Sequence, residues 1–467
     1  MTADQILELG PALAEYLHEF ADCFGRREPR GKLEVYVRGQ LSTLLRKSAE
    51  PMALAAGIRP RSLQEFLASD DWDEDRLRER LQRLVAREHV DVQSIGIIDE
   101  SGHPKKGRET ACVHRQYCGN TGKIDNCVMT VHLTYSRFDS RFHTMIDSDL
   151  YLPQAWHDDR ERCRRVKIPD DVVYRPKYDI ALEQYDRARA HGVSFAWITA
   201  DEWYSQKPNF LRGLEARQQR YVLEIPRNFR AWLHDPTTGP ATPAKPVTNL
   251  LRYSKGLMTQ PWQPCHIKDT DKGPMVWEVK AVPCWLPRPD GAVGPYWLVA
   301  ARNILDRDEV KFFLSNAAPG TPLEVVLHVA FARWPVERCL QDEKTELGLS
   351  HFEVRSYPAV KRHLLITQAS HLFLARQTER LRGEKSRSDF AAGPPRGRCV
   401  DRRTAPATRR SPEPTDQGRQ HNSVPTTSQC RSPNQSHQNP IATLETTRHP
   451  ANHNPPLPTR IKPQRAL

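Results

Sequence analysis

No CxxC pair occurs among the ten cysteines of this chain. That argues against a structural zinc ribbon or a disulfide scaffold, and it suits a reduced cytosolic setting. No apolar run approaches the roughly 18–20 residues of a membrane span, so no membrane is expected as a partner. The N-terminus lacks the basic and apolar stretches of a secretory leader. Aromatic residues are missing altogether past Phe390, where thirteen prolines lie among Ser, Thr, Gln, Asn, His and Arg. Such a segment buries too little apolar surface to offset its ordering entropy. Residues 386–467 are therefore expected to be a disordered, basic, Pro-rich tail, read as a frameshifted C-terminus or a DNA-embracing arm. From Ala391 onward Lys and Arg exceed Asp and Glu by eight, out of a net charge of +12 for all 467 residues. Strong basicity is thus a property of the tail, and by itself it says little about the rest.

What is present is patterned. Residues 1–90 read as a helical domain, with Leu13, Leu17 and Phe20, then Leu33, Tyr36, Val37, Leu41, Leu44 and Leu45, then Leu77, Leu81 and Leu84 at helical spacing. Met52–Gly57 and Ile58–Leu67 suggest a helix, a glycine turn and a second helix with a Ser62…Glu65 capping box. Arg59 and Arg61 fall at the start of that second helix. This spacing makes it a candidate helix-turn-helix, with the two arginines as DNA contacts.

Near residue 92 the period changes. Ser94-Ile-Gly-Ile-Ile-Asp99 is a short apolar run ending in a carboxylate, with Glu100-Ser-Gly102 read as a turn. Strands over 127–135 and 142–146, a helix over 178–189, the strand 194–200 ending in Asp201, a helix over 208–218 and the strand 220–225 follow. Strands apolar on both faces need helices on both sides, so residues 91–226 are expected to start an α/β domain. Ligands of such sheets collect at the carboxyl ends of strands. Residues 227–325, rich in Pro, Gly and Trp, read as a β-rich insertion with paired strands at 275–285 and 296–302. Residues 326–385 then return to helix, including an amphipathic one over 360–382.

The first helix of that last segment carries Arg333, Glu337 and Lys344. At roughly 100° per residue, Arg333 and Glu337 are about 40° apart on the helix wheel, and Glu337 and Lys344 about 20°. A carboxylate bracketed by two cations results, while Glu343 and Glu346 fall off that face. Three carboxylates, Asp99, Asp201 and Glu337, make a candidate catalytic set for two Mg²⁺ or Mn²⁺ ions, since hard divalent cations prefer oxygen. Strand alternation turns the neighbouring Glu100 and Glu202 to the other face. Arg333 and Lys344 are candidate phosphate contacts, as are His103, Lys105 and Lys106 just after Asp99. Cys265-His266 lacks partners at zinc spacing.

These residues resemble bacterial insertion-sequence transposases of the DDE type, in the group with a Tyr-x2-Arg-x3-Glu-x6-Lys signature. Arg333, Glu337 and Lys344 match it; the tyrosine position is Ala330 here, with Phe331 adjacent. Asp99 in Ile-Ile-Asp-Glu-Ser-Gly and Asp201 in Thr-Ala-Asp-Glu-Trp-Tyr are similar to the first two acidic residues of the family. Arg115-Gln-Tyr-Cys-Gly-Asn-Thr-Gly-Lys123 and Leu150-Tyr-Leu-Pro153 are similar to stretches of one branch. The resemblance covers about residues 10–385. It implies an RNase H-like mixed sheet with helices on both faces. It implies two-metal cleavage of double-stranded DNA at terminal inverted repeats, and joining of the freed 3′-hydroxyl to target DNA. A homodimer on paired ends and a cytoplasmic, nucleoid-associated location in a bacterium go with it. Trp277, Trp285 and Trp297 are candidates for holding a flipped base or, more simply, for core packing. The alternatives are a frameshifted remnant that only binds DNA, and a host nuclease on the same sheet.

Overall fold

In the computed structural model, residues 3–69, 72–238, 242–270, 273–289 and 291–391 are described. Five helices come first: α1 (Ala3–His18), α2 (Arg27–Leu41), α3 (Ala49–Ala55), α4 (Pro60–Ala68) and α5 (Glu74–Glu88). Gly57 turns the chain between α3 and α4 at φ +69°, a conformation that a Cβ disfavours. The expected Ser62…Glu65 capping box is not used. Arg59 is the N-cap and Pro60 opens the helix, because a fixed φ and a missing N–H suit the first helical position. At α5 the Asp73 carboxylate caps the amides of Asp75 and Arg76, both at 3.0 Å.

The central sheet follows. Its strands are β1 (Ile95–Pro104), β2 (His114–Cys118), β3 (Lys123–Ser136), β4 (His143–Leu150) and, after the short helices α6 (Gln154–His157) and α7 (Arg160–Arg165) and the longer α8 (Lys177–Ala190), β5 (Trp197–Ala200). β3 pairs antiparallel with β1, β2 and β4, and β5 pairs parallel with β1. Two elements differ from the sequence expectation. β2 was not anticipated, because Arg115-Gln-Tyr carries no buried alternation. β1 does not stop at Asp99: Glu100, Ser101 and Gly102 continue the ladder opposite Val131, Thr130 and Met129. A carboxylate in mid-strand mimics a strand end when only the apolar run is visible.

Helices α9 (Glu202–Ser205) and α10 (Pro208–Ala216) lead to β6 (Val222–Ile225), which approaches β5 through a parallel bridge from Tyr221 to Ile198. β6 is also the edge of a second sheet. After the small pair β7 (Arg230–Ala231) and β8 (Lys245–Pro246) and the helices α11 (Val247–Tyr253) and α12 (Lys255–Met258), the strands β9 (Gln263–Thr270), β10 (Gly273–Arg288), β11 (Gly291–Asn303) and β12 (Val310–Ser315) join it in the order β6-β12-β11-β10-β9. The paired strands expected in the insertion are β10 and β11, with Trp277 opposite Asn303 and Trp297 opposite Pro283. Trp277 packs on Phe331 at 4.8 Å between ring centres. The Trp297 indole donates to the Ala317 carbonyl at 3.1 Å.

Three helices close the fold: α13 (Leu323–Phe331), α14 (Trp334–Thr345) and α15 (Tyr357–Ala391). One core holds Ile95 and Ile97 of β1 against Val326, Leu327, Val336 and Leu340 of α13 and α14. The other holds Ile98 and Val131 with α8, α10, the N-terminal helices and Leu372. Helices thus cover both faces of a mixed α/β sheet. α15 is less amphipathic than expected, since Ala359, Val360 and everything from Arg362 to Phe373 are buried. Its polar residues are matched by the N-terminal helices: the Gln40 amide donates to Thr367 at 2.7 Å, Ser370 donates to Gln40 at 2.8 Å, and Tyr36 bonds His363 at 2.7 Å. Burying Leu364, Leu365, Leu372 and Phe373 stabilises by roughly 1.5–3 kcal/mol per side chain. α15 runs beyond residue 386 to Ala391, and the remaining tail lies outside the described residues. Among the described residues no helix is long and apolar enough to cross a membrane.

Candidate active site

Two aspartates meet where a strand pairing ends. β1 and β5 run parallel in the register Ile98 opposite Ala200, so Asp99 and Asp201 are the next pair of positions. There the chains part. β1 continues along β3 with Asp99 opposite His132, while Asp201 leaves the sheet as the N-cap of α9. Its carboxylate accepts the Trp203 amide at 3.0 Å and the Tyr204 amide at 3.4 Å, which fixes its direction. Asp99 keeps one backbone hydrogen bond, from the Glu100 amide at 2.8 Å. By alternation Asp99 shares the Ile95 and Ile97 face, the one covered by α14. Glu100 points the other way and pairs with Lys177 at 2.6 Å.

α14 brings the third carboxylate. Arg333 is its N-cap residue, with Pro335 in the first turn where a missing N–H costs nothing. The same Arg333 nitrogen, Nη2, lies 3.9 Å from Asp99 and 3.9 Å from Glu337. Those two carboxylate oxygens are therefore at most twice that distance apart. The other terminal nitrogen donates to Glu224 of β6 at 3.1 Å. Arg333 thus sits inside a cage of acids, with Asp201 also contributing to its field. Lys344, two turns beyond Glu337, donates to the Asn120 side chain at 2.8 Å and is attracted by Asp99. Lys268 of β9 faces Glu337 and lies 4.9 Å over the exposed Trp334 ring.

The electrostatics follow from this crowding. Burial pushes the Asp99 carboxyl up to about 7; Arg333 opposes the rise and the neighbouring Asp201 adds to it. Burial also lowers Lys344, against the pull of Asp99. Glu337 is different, its side chain being 62% exposed. Glu343, off that face, is fully buried 3.8 Å from His371. Among the described residues no three His, Cys, Asp or Glu side chains stand close enough to hold a metal ion as they are. The donors gathered around Arg333 are nonetheless oxygens only, and a carboxyl raised chiefly by burial, with an adjacent carboxylate adding to the rise, is one that a hard divalent cation would ionise.

The other expected residues are placed elsewhere. Lys105 is turned inward: its ammonium donates to the carbonyls of Ser350 at 3.2 Å and Phe352 at 2.8 Å, and lies 3.3 Å over the Phe352 ring. Burial lowers it to about 7. It latches the loop after α14, so its donors are taken. His103 is wholly buried between Ser350 and Thr130, at 2.9 Å from each. Lys106 is exposed. Arg59 and Arg61 are exposed at the start of α4, where Arg61 pairs with Glu65 at 2.7 Å. Ala330, at the signature tyrosine, is buried in α13, and Phe331 packs on Trp277 and Phe313. Sequence reading missed Glu224, Lys268 and Asn120. A lone acid within Val-Leu-Glu-Ile was the only visible signal for the first, the family-like stretch Arg115–Lys123 that contains Asn120 was the signal for the third, and Lys268 had none.

A family model described as DDE superfamily endonuclease matches residues 19–263, which include both aspartates and end before α14. Over 326 residues the chain is 26% identical to a probable transposase for insertion sequence element IS701 from Microchaete diplosiphon, spanning 69% of this chain and 76% of that protein. Among solved structures, the NurA nuclease from Sulfolobus solfataricus aligns at 10% identity over 65% of this chain and 87% of that one, with a TM-score of 0.27. The family match covers more than half of the 467 residues, and the chain belongs to the DDE superfamily endonucleases.

Proposed function

We propose that this protein is an insertion-sequence transposase that cuts double-stranded DNA at the terminal inverted repeats of its element and joins the 3′-hydroxyl to target DNA. In this reading the sheet is RNase H-like, residues 91–226 and 326–385 form the catalytic domain, 227–325 the β insertion and 1–90 the DNA-binding helices. The carrying observation is the matched position of Asp99 and Asp201 on parallel strands, joined to Glu337 through one Arg333 nitrogen. Asp99, Asp201 and Glu337 would hold Mg²⁺ or Mn²⁺, two ions in all. Bound there, the ions supply an activated water and stabilise the leaving oxygen. The chain's own part is positional. β3 holds Asp99 rigidly while the end of the β5 pairing leaves its carboxylate accessible, and the amides of α9 aim Asp201. Arg333 and Lys344 supply positive charge for the phosphate, as Lys106, Arg59 and Arg61 would for DNA farther out. A homodimer on paired ends completes the reading.

The test is cleavage of DNA carrying the element's flanking repeats, with Mg²⁺ or Mn²⁺. Asp99→Ala and Asp201→Ala should each lower nicking by at least about 10³-fold while DNA binding persists. Cutting by either variant at the parental rate would remove the assignment. Absence of cutting by the parent, with binding intact, would favour a remnant that only occupies DNA. Cutting without regard to the repeats would favour a host nuclease.

A further inference from the structure

The hairpin formed by β2 and β3 is the stretch Arg115–Lys123 extended, and nothing above assigns it a task. Its tip reaches the acidic site. The Asn120 side chain accepts from the Lys344 ammonium at 2.8 Å and also donates to the carbonyl of Gly102, three residues past Asp99 on β1. Behind the tip the hairpin lies tight on β1: a Cβ at Gly102 would stand 2.6 Å from the Cys118 sulfur. The tip is therefore fixed relative to Asp99, and Lys344 is fixed through it.

The hairpin's outward face is unusual. Tyr117 and Ile124 are directly opposed in the register and are 63% and 60% exposed. An exposed aromatic and an exposed β-branched residue side by side forgo burial that most such pairs obtain. Arg115, two residues before Tyr117, shares their face, is exposed, and among the described residues has no ion-pair partner. Lys123 and Asp125 each lie one residue out of phase, on the opposite face. A ring and an aliphatic side chain beside an unpaired cation match a strand with sugars and phosphates, whereas an acidic protein surface would leave the apolar pair unmatched.

We propose that the β2–β3 hairpin is a DNA-docking wall of the acidic site, on which Tyr117 and Ile124 receive the sugars, and Arg115 a phosphate, of the strand leading to the cut, while Asn120 positions Lys344. The proposal rests on the function given above, and its tests separate the two. Binding of an oligonucleotide duplex carrying the element end is titrated against salt, in EDTA, where no cutting occurs. The Arg115→Ala variant should weaken binding and flatten the slope of log K against log salt by about one unit, for one lost phosphate contact. Tyr117→Ala should weaken binding with the slope unchanged. For Asn120, single-turnover cleavage at saturating DNA is compared in a double-mutant cycle. Asn120→Ala should slow it roughly tenfold, the cost of one charge-assisted hydrogen bond. Combined with Lys344→Ala it should cost no more than Lys344→Ala alone. Asn120→Asp, which keeps the acceptor, should recover most of the rate. A parental salt slope in Arg115→Ala, or additive losses for Asn120 and Lys344, would overturn the proposal even if Asp99→Ala abolishes cutting. Cutting by Asp99→Ala would instead remove the catalytic assignment and leave the binding result standing.

Discussion

Two of the clusters that set carboxylates against arginines in this protein are treated oppositely. At the junction of α5, β4 and α8, Asp147 is wholly buried and saturated. It accepts from Arg187 at 2.8 Å, from Gln82 at 3.1 Å and from the Ser148 amide at 2.9 Å, with Arg78 at 3.3 Å. Asp149 beside it is bridged by the same Arg187, and although burial works against its ionised form, Arg187 and Arg78 hold its carboxyl well below the usual range. At the acidic site one guanidinium serves Asp99 and Glu337 from 3.9 Å each, and Asp99 rises to about 7. The first cluster is balanced and its partners are within hydrogen-bond reach. The second has more negative charge than its cation can neutralise at contact distance. A structural ion cluster completes its own hydrogen bonds, whereas a site prepared for an external cation leaves some unmade.

The largest effect should come from breaking the balanced cluster. Asp147→Ala would take from Arg78 and Arg187 the one wholly buried carboxylate they share, leaving them Asp75 and Asp149 respectively, and would loosen α5 from the sheet. A loss of about 3–5 kcal/mol is expected, read by denaturant unfolding. A loss under about 1 kcal/mol would mean that the two clusters do not differ as described.

The same measurement at Asp99 should go the other way. Its folded pKa is raised, so the folded state holds a proton that the unfolded state has released. Metal-free protein therefore loses stability as pH rises from about 4 towards 7, and the loss is complete above that. Asp99→Asn removes this dependence. In EDTA, the stability of the variant relative to the parent should increase by on the order of 2 kcal/mol between pH 5 and pH 8. A pH-independent difference would show that Asp99 is not held protonated by its surroundings.

The contrast also explains what the sequence made legible. The aspartates announced themselves because each follows an apolar run, Ile-Gly-Ile-Ile before Asp99 and Trp-Ile-Thr-Ala before Asp201, and a buried strand is hard to mistake. The Arg333, Glu337 and Lys344 spacing placed three charges on one helical face without knowledge of the sheet. Their gathering around Arg333 was not readable, because Glu224 belongs to a strand more than a hundred residues earlier and Asn120 to a hairpin with no buried alternation. The inward turn of Lys105 depends on Ser350 and Phe352, which no local pattern connects to it. The amphipathic reading of α15 failed for a related reason. His363, Thr367 and Gln368 are polar in sequence, yet all three are buried, the first two against Tyr36 and Gln40 of α2.

Glu224 gives the subtlest test of how the two clusters differ. It accepts from Arg333 and from Lys311, each at 3.1 Å, and it lies on β6, outside the pairing that holds the aspartates. Among the described residues it is the only acid at hydrogen-bond distance from Arg333, so it draws the guanidinium away from Asp99 and Glu337. Glu224→Gln keeps the shape and weakens that draw, leaving Arg333 more fully engaged by the other two carboxylates. A guanidinium so engaged competes with an incoming cation for the same oxygens. Mn²⁺ binding, measured directly by electron paramagnetic resonance on protein without DNA, should weaken by roughly threefold to tenfold, the range of one modest hydrogen bond. Thermal unfolding in EDTA should change little, because the carboxylates gain what Glu224 loses. Unchanged Mn²⁺ affinity in Glu224→Gln, alongside lost affinity in Asp99→Ala, would mean that Arg333 stands beside the cation's place without contesting it.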